Sequence, residues 1–396
     1  MQIASTNNLV REPSQIHSPG RRNLIAACLA HALHDGYTDQ LYALLPVWQT
    51  QFGLSYAGLA AVRALYSGTM GGLQLPGNRL TRQLNARTAL VLSTVVAASG
   101  FMIMALPLGL AGLCIGLVLA GTGSSLQHPR ASLLVTNTFG KMSRGPLGVY
   151  NFTGDLGKAT LPAIVALLLP VMAWRPIVGL MALLGLAVAF GLFRLIPGGL
   201  ASNTNAANPP VQGKGHGGFP LLVTIGVFDT AARMGYLLFL PFLIESLGGS
   251  SATVGLGLAL LFLGGALGKA TCNWLSQRLG VVGSVIATET ATALLIVATL
   301  FLPLVPMLAI LPILGIVLNG TSSVLYGTVP ELAPKGDAGR AFAFFYTGVS
   351  GAGGLAPIAY GAIADHSTRS IGIVSAACTA ALVVPLVLAL RSALSD

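Results

Sequence analysis

The sequence has few charged residues. Of its 396 residues, 8% are charged and 54% are hydrophobic, whereas about a quarter of the residues of a soluble globular chain are usually charged. Such a chain cannot cover a water-exposed surface with ionised groups, but it suits a surface in lipid, where ionised groups are costly. The composition therefore excludes a soluble enzyme, a disordered chain and a nucleic-acid-binding protein, and it predicts a lipid bilayer as the surroundings.

Cysteine and cofactor motifs are also scarce. The four cysteines lie far apart in apolar stretches, without a C-x-x-C pair, so neither a disulfide framework nor a metal site is predicted. The segment 121–125 reads GTGSS but is not followed by Gly-Lys-Ser/Thr, as a phosphate-binding loop would be. We therefore expect that the protein binds no cofactor and no metal, and that ATP does not drive its activity.

Long apolar runs recur along the whole chain. A helix needs about 20 apolar residues to cross the hydrocarbon of a bilayer, and the alternating pattern of a β-barrel is not present. The polar segment 1–23 leads into the first run without a cleavage signal, so that run is interpreted as a retained span. We predict an all-α membrane protein with twelve spans at 24–48, 55–77, 88–107, 109–134, 146–170, 174–194, 220–244, 252–276, 282–303, 306–331, 340–364 and 371–391.

Basic residues predict the orientation of these spans, because cytoplasmic loops are enriched in Lys and Arg. With the N-terminus in the cytoplasm, only Arg175 and Arg369 fall outside. Fourteen fall on the cytoplasmic side, namely Arg11, Arg21, Arg22, Arg79, Arg82, Arg87, Lys141, Arg144, Arg194, Lys214, Arg278, Lys335, Arg340 and Arg391. This bias predicts that both termini are cytoplasmic, and it accounts for the net charge of +10 without a polyanionic partner.

The chain divides into two similar halves. A polar tail (1–23) precedes a first half at 24–196, a linker rich in Gly, Asn and Pro covers 197–219, and a second half follows at 220–396. A shift of about 194 residues places Asp35 on Asp229 and Tyr42 on Tyr236, and a shift of about 199 places the Gly-Thr pair of span four (121–122) on that of span ten (320–321). Six-helix halves that repeat in parallel are typical of secondary transporters, whose substrate site lies between the halves near the bilayer midplane.

Several motifs make a family resemblance specific. They are His31-x-x-x-Asp35, LLP (44–46), GTGSSLQHP (121–129), Gly154-x-x-Gly157, ELAP (331–334) and IADHS (363–367). The chain resembles a major facilitator superfamily transporter, and within it the fosmidomycin-resistance type of bacterial efflux protein. The resemblance covers nearly the whole chain. It implies proton-driven export across the bacterial inner (plasma) membrane by a protein that is usually a monomer.

The chain departs from the family pattern at charged positions. The loop after span two usually reads G-x-x-x-D-R-x-G-R in this superfamily, whereas here Thr81 replaces the acid and Leu84 the second glycine. Arg130 follows His128-Pro129 where the resemblance leads us to expect an acid. These departures put the gating salt bridge of that loop and the family's substrate in doubt for this chain.

A stripe of ionisable side chains in span one is the main candidate for proton coupling. His31, Asp35, Asp39 and Tyr42 recur at helical spacing, and Asp35 lies about 16 Å from the cytoplasmic end of the helix. A carboxylate at this depth is costly unless it is paired or protonated. We predict proton coupling by Asp35 and His31, with Asp155 and Asp229 as further candidates. The alternative is a packing role for Asp35, satisfied by a hydroxyl or an arginine.

Further charges within the spans predict a substrate site and a gate. The substrate-binding candidates are Lys158, Arg233, Asp39, Arg63, Tyr42 and Tyr236. Three structural ion pairs are the alternatives: Asp155 with Lys158, Asp229 with Arg233, and Asp39 with Arg63. The gating candidates are His128 and Pro129, which kink span four, and Lys269 and Glu331, which we expect to pair. Glu289 has no predicted partner.

These features favour a proton-coupled exporter of small anionic or amphipathic organic compounds by alternating access. Its predicted partners are a small-molecule substrate, protons and the bilayer. A proton-coupled importer of a small metabolite uses the same fold and stays open as an alternative. A membrane-embedded enzyme or sensor is disfavoured, because no clustered metal ligands, catalytic triad or cofactor motif is present in the sequence.

Overall fold

The structure, a computed structural model, describes residues 18–81, 83–198, 218–334 and 338–395. Apart from one short 3₁₀ turn, the regular structure within these ranges is α-helical. The N-terminal tail up to residue 17 and most of the predicted linker lie outside the described residues. The helices are α1 (Ser18–Phe52), α2 (Tyr56–Gly72), α3 (Gln74–Leu80), α4 (Ala86–Ala105), α5 (Gly109–Phe139), α6 (Arg144–Leu168), α7 (Trp174–Leu195), α8 (Phe219–Ser246), α9 (Ser251–Ala298), α10 (Leu304–Thr328), α11 (Ala338–His366) and α12 (Arg369–Ser395).

Nine helical segments of the described chain are long and apolar enough to cross a membrane. They are α4, α5, α7, α8, the two parts of α9, α10, α11 and α12. The three remaining long helices complete the twelve predicted spans: α2 has 17 residues, and α1 and α6 carry the ionisable side chains of the candidate site. The short α3 connects α2 to α4. The predicted all-α fold with twelve spans is thus confirmed.

The eighth and ninth spans follow each other within α9, with a kink in place of a loop. The two membrane-crossing parts are Ser251–Cys272 and Trp274–Ala298, and Gly280, near the start of the second part, interrupts the helix with φ 70° and ψ 174°. A positive φ of this kind favours glycine, which has no Cβ to clash with the backbone. Gly280 therefore allows the chain to reverse where the sequence predicted a short joint.

Among the described residues, one buried apolar cluster joins the two halves. Leu44 and Trp48 near the end of α1 share it with Leu240 and Ile244 near the end of α8. At the opposite end each half has its own cluster. The first-half cluster includes Ala27, Leu134 and Leu192, and the second-half cluster includes Leu222, Val329 and Leu390. We call the end with the shared apolar cluster, where α1 and α8 end, the closed end, and the end with separate clusters, where these helices begin, the open end.

At the closed end, a carboxylate of the second half caps a helix of the first half. Asp365 of α11 accepts hydrogen bonds from the backbone N–H groups of Tyr56 and Ala57, at 2.8 and 2.9 Å. These are the first N–H groups of α2, which have no partner within their own helix, and Ser55 caps the next free one, that of Gly58. Asp365 belongs to the ADHS motif, so the motif provides a cap for a helix of the other half.

Replacing Asp365 with Ala is expected to loosen the closed end. Loss of a helix cap costs about 0.5–2 kcal/mol, and here the cost falls only on the conformation in which the halves touch. Spin labels at Thr50 and Ser370, exposed positions of opposite halves at this end, should show a larger population at long distance. Glu245→Ala removes another exposed acid at the same end and is the control. An identical distance distribution in the two variants would refute the sealing role.

Candidate functional site

A polar cavity lies between the halves in the middle of the bundle. One part has a volume of about 360 Å³ and is lined by Asp35, Asp39 and Arg63, among others. A second part of about 560 Å³ adjoins it and shares the lining residues Lys158 and Arg233. We call these two parts together the central cavity. A third space of about 510 Å³, lined by Gly72, Pro129 and Phe342 among others, continues from it towards the open end.

Close packing of α1 against α6 builds the wall of the first half. A Cβ at Gly157 would collide with the carbonyl of Ala32, and a Cβ at Gly154 would lie 2.7 Å from Asp35 Oδ2 and 2.7 Å from His31 Cε1. Only glycine at these positions lets the two helix backbones approach so closely. The Gly154-x-x-Gly157 motif therefore brings the ionisable stripe of α1 against the charged face of α6.

Asp35 is the centre of a cluster of basic side chains. Its Oδ2 lies 3.3 Å from His31 Nε2 and 3.2 Å from Lys158 Nζ, and its Oδ1 lies 3.6 Å from His128 Nε2. The Asp35 residue is 7% exposed, so these contacts replace the hydration that burial removes. The structure brings together His31 and Asp35 as predicted. It also places His128, predicted as a gating residue, in the same cluster.

The contact between His31 Nε2 and Asp35 Oδ2 requires a proton between these two atoms. His31 Nδ1 lies 2.9 Å from the carbonyl oxygen of Tyr150, which can only accept, so Nδ1 carries a hydrogen. A neutral imidazole has one N–H, and His31 Nε2 would then face Asp35 Oδ2 with a lone pair against a lone pair. The contact therefore holds a further proton, on His31 or on Asp35. A group that shares a proton in a cavity wall can exchange it with the cavity.

The cluster continues as a chain of ion pairs into the second half. Lys158 Nζ lies 3.6 Å from Asp155 Oδ1, and Lys269 Nζ of α9 lies 2.6 Å from Asp155 Oδ2. The expected pair of Lys269 with Glu331 is therefore wrong: Glu331 lies exposed in the turn after α10, while Lys269 reaches the first half. The predicted pair of Asp155 with Lys158 is present, but each member has an additional partner.

Two arginines face the central cavity without a carboxylate in contact. The guanidinium of Arg63 lies 4.0 Å from the centre of the Tyr42 ring, a cation–π contact, in place of the predicted ion pair with Asp39. The side chain of Arg233 donates to Asn319 Oδ1 at 3.5 Å and Ser322 Oγ at 3.3 Å, in place of the predicted ion pair with Asp229.

The guanidinium groups of the two arginines contact neutral partners among the described residues. These partners are the Tyr42 ring for Arg63, and Asn319 and Ser322 for Arg233. An anion bound in the cavity between Arg63 and Arg233 would form charge-assisted hydrogen bonds with both, which are stronger than bonds to neutral groups.

Two tyrosines predicted to bind substrate lie in the core of the closed end. Tyr42 and Tyr236 are both 0% exposed, and both belong to the apolar cluster shared by the halves. Tyr42 supports Arg63 and donates from its hydroxyl to Met234 Sδ across the halves at 3.4 Å. Neither tyrosine lines either part of the central cavity, and their contact with substrate stays a prediction.

Sequence reasoning missed several polar residues of the second half. Ser322 donates to Asp229 Oδ2 at 2.9 Å, and Asp229 and Glu289 are both buried, at 4% and 1% exposure. An acid in a membrane span is by default a functional candidate, and Glu289 was visible as such. The contact of Ser322 with Asp229 could not be found from the sequence because Ser322 lies 93 residues away, on another helix.

Two of the departures from the family pattern, Thr81 in the loop after span two and Arg130, also find a structural account. Arg130 is 2% exposed, and its Nη2 donates to Thr81 Oγ1 at 3.0 Å. The hydroxyl thus occupies the position of the family's acid and contacts the unexpected arginine. Both departures from the family pattern therefore meet in one hydrogen bond between α5 and the end of α3.

His31, Asp35 and His128 are the described residues arranged most like a metal site. One potential ligand atom from each lies within 4.8 Å of the others. The ammonium group of Lys158 already contacts the carboxylate, however, and the central cavity is lined by four basic and three acidic side chains. This charge favours an anion in the cavity over a cation.

Comparison with known proteins agrees with this geometry. The sequence pattern of the Major Facilitator Superfamily matches residues 27–222 and 222–394, once in each half. The chain belongs to the Major Facilitator Superfamily. The match covers nearly the whole chain, so the resemblance found in the motifs is confirmed for the family. It identifies the protein as a multi-pass transmembrane transporter with a small-molecule substrate.

The chain is similar to a resistance protein and to solved structures of transporters. The fosmidomycin resistance protein of Escherichia coli (strain K12) is 24% identical over 359 residues, which cover 87% of this chain and 86% of that protein. A bacterial homologue of the human lysosomal transporter Spinster, in an inward-facing and unoccupied conformation, has a TM-score of 0.75 at 15% identity, with 97% and 99% of the chains covered. A nucleoside transporter has a TM-score of 0.75 at 12% identity, with 94% and 99% covered. At these identities the solved structures support the fold alone.

Proposed function

We propose that the protein is a proton-coupled exporter of small anionic or amphipathic organic compounds, working by alternating access in the bacterial inner membrane. The single observation that carries the proton part is the Asp35 cluster, in which one proton is shared with His31 beside the cavity. Asp155 and Asp229 stay predicted alternatives for this role. Export is supported by the similarity to the fosmidomycin resistance protein.

The basic lining supports an anionic substrate. Arg63 and Arg233 have no contacting carboxylate among the described residues, whereas Lys158 and Lys269 each contact one or two. Charge-assisted hydrogen bonds are about twice as strong as neutral ones. We therefore assign anion binding to the two arginines. To the two lysines we assign a role in neutralising the carboxylates of the first half, which Lys269 links to the second half.

A transport assay in everted membrane vesicles with an imposed proton gradient tests the function. A panel of anionic, neutral and cationic compounds, with fosmidomycin as its first member, should show accumulation of anions that collapses when an uncoupler is added. Vesicles without the protein are the control. Transport of every active compound at the same rate without a gradient would refute proton coupling, and a preference for cations would refute the substrate class.

One observation favours import as a second candidate. Protonation of Asp35 would remove one of the two carboxylate charges that contact Lys158 and make the cavity more positive, so a proton and an anion would bind more tightly together than apart. Two ligands that bind together are carried in the same direction, and the proton gradient of a respiring bacterium points inwards. Uptake in right-side-out vesicles, without accumulation in everted ones, would favour import over export.

We further propose that the open end and both termini face the cytoplasm, as the basic residues predict. In a background without the native cysteines, a cysteine at Val171, exposed between α6 and α7, should react with an impermeant thiol reagent in intact cells. A cysteine at Ser143, before α6 at the opposite end, should react only after the membrane is opened. The reverse pattern would refute the orientation.

A further inference from the structure

The third space, towards the open end, differs in its chemistry from the central cavity that it adjoins. The central cavity is lined by four basic and three acidic side chains, whereas the described residues around the third space include none that is charged. The lining residues Tyr326, Tyr346 and Ser350 are common to both, so one molecule can extend from one space into the other. The function proposed above places an anion in the central cavity and gives the third space no role.

Three aromatic rings line the third space from the second half. Phe342 and Tyr346 lie four residues apart, and therefore on one face of α11, and Tyr326 of α10 lines the same space. Phe342 and Tyr346 are each 37% exposed, so a large part of both side chains is left uncovered by the protein. Tyr326 packs edge-to-face on the buried Phe345, with the ring centres 5.0 Å apart. Rings held in this way offer a large apolar surface to an aromatic or aliphatic group.

Two glycines leave additional room in this space. Gly68 of α2 and Gly351 of α11 line it, and a Cβ at either position would meet no atom within 4 Å. Both lie within helices, where glycine is destabilising relative to alanine. Close packing explains the glycine at Gly157, but it does not explain these two. Their effect on the structure is the volume that they leave empty beside the rings.

The third space extends well beyond the central cavity along α2 and α11. Ser350 lines both spaces, and Phe342 lies eight residues before it on α11, which is about 12 Å at the rise of an α-helix. On α2, Arg63 lines the central cavity and Gly72 lines the third space nine residues later, which is about 14 Å. A molecule with its charge at Arg63 can therefore place its other end beside the aromatic rings.

We propose that the third space binds the apolar, ring-bearing end of a long amphipathic anion whose charged group lies between Arg63 and Arg233. The position of the charged group rests on the proposed function, whereas the apolar end rests on the third space itself. The proposal narrows the substrate class to compounds about 12–14 Å long with the charge at one end, in preference to compact anions. An exporter with its open end towards the cytoplasm would collect such a compound through this space.

Binding of a series of phosphonates to the purified protein in lipid nanodiscs tests the proposal. The members share one anionic group and increase in length from methylphosphonate through phenylmethylphosphonate to 6-phenylhexylphosphonate. Each CH₂ group that enters an apolar site should lower the Kd about fourfold, so affinity should rise along the series. Empty nanodiscs measure the part that is due to lipid. Equal affinity for the shortest and longest members would overturn the proposal and leave the third space as a water-filled entrance.

Variants of the lining residues locate the apolar end. Gly68→Leu should fill part of the third space and raise the Kd of 6-phenylhexylphosphonate about tenfold or more, with that of methylphosphonate unchanged. Gly191→Leu is the matched control, because a Cβ at Gly191 of α7 also meets no atom within 4 Å, but this residue lines none of the three spaces.

A second variant keeps the test independent of how well Gly68→Leu folds. Phe342→Ala adds no bulk and removes one of the rings, so it should weaken the long phosphonate and spare methylphosphonate. Thermal unfolding of each variant checks the fold. A Kd for the long phosphonate that is the same in the wild type, Gly68→Leu and Phe342→Ala would refute the assignment to the third space.

A neutral probe separates the apolar end from the anion site. The alcohol 6-phenylhexanol has the same apolar part, so Gly68→Leu should weaken it as well, whereas Arg233→Gln should weaken the phosphonates alone. If the alcohol and the phosphonate of equal length bind equally well, the anion site fails and the apolar site stands. If the phosphonates respond to Arg233→Gln but not to their length, the anion site stands and the apolar site fails. Since these measurements involve no transport, a failure of the proposed exporter in vesicles is observed separately.

Discussion

Asp35→Asn is expected to abolish transport driven by a proton gradient while leaving the protein folded in the membrane. Asn has nearly the shape of Asp and keeps one acceptor oxygen for Lys158, but it cannot release or take up a proton at physiological pH. Its amide can donate to His31 Nε2, so His31 can stay neutral with its hydrogen on Nδ1. Lys158 also keeps its contact with Asp155. The variant should lose the shared proton and little else.

The assay for this variant compares two modes of transport in the same vesicles. Accumulation against a gradient should fall to the level of vesicles without the protein, whereas exchange of labelled for unlabelled substrate, which moves no net proton, should persist. Glu245→Gln, at an exposed acid of the closed end, should behave as the wild type. If Asp35→Asn accumulates substrate at the wild-type rate with an unchanged pH profile, the coupling carboxyl lies elsewhere, and Asp155 and Asp229 are the next candidates.

The fold could be predicted from the sequence because its strongest signals are local. Each span needs only its own apolar residues, and the basic residues between spans give the alternation of sides. The predicted depth of Asp35 and its spacing from His31 are likewise properties of one helix, and both residues line the central cavity. Charges that lie on one helix were therefore located correctly relative to one another.

Contacts between helices were predicted less well. Lys269 was expected to pair with Glu331 because both lie near the same end of the second half, but depth along the bilayer does not fix which way a side chain points. The rotation of α9 turns Lys269 towards the first half, where Asp155 lies. Asp229 and Arg233 were separated for a similar reason: Ser322 of α10 lies between them and contacts both. A serine among many in apolar spans gives no sequence signal of such a role.

Arg233→Gln is expected to weaken the transport of anions far more than that of neutral compounds. A hydrogen bond to a charged group contributes about 1.5–3 kcal/mol, which corresponds to roughly a tenfold to hundredfold change in affinity. The structure makes this residue a better test than Lys158. Neutralising Lys158 disturbs two carboxylates at once, whereas Arg233 is hydrogen-bonded to the neutral Asn319 and Ser322, so no carboxylate loses a contacting ion-pair partner.

Competition between substrates separates this role from a structural one. The apparent affinity of an anionic compound should fall in Arg233→Gln, while that of a neutral compound carried by the same protein stays within about twofold, since it lacks the charge that makes such a hydrogen bond strong. Arg233→Lys should recover part of the loss, because it restores the charge without the planar fork of donors. Arg369→Gln removes an arginine with neutral partners at the closed end and should affect anionic and neutral compounds alike. An equal loss for both classes in Arg233→Gln, with no recovery by lysine, would mean that Arg233 holds α8 against α10 and that the anion binds elsewhere in the cavity.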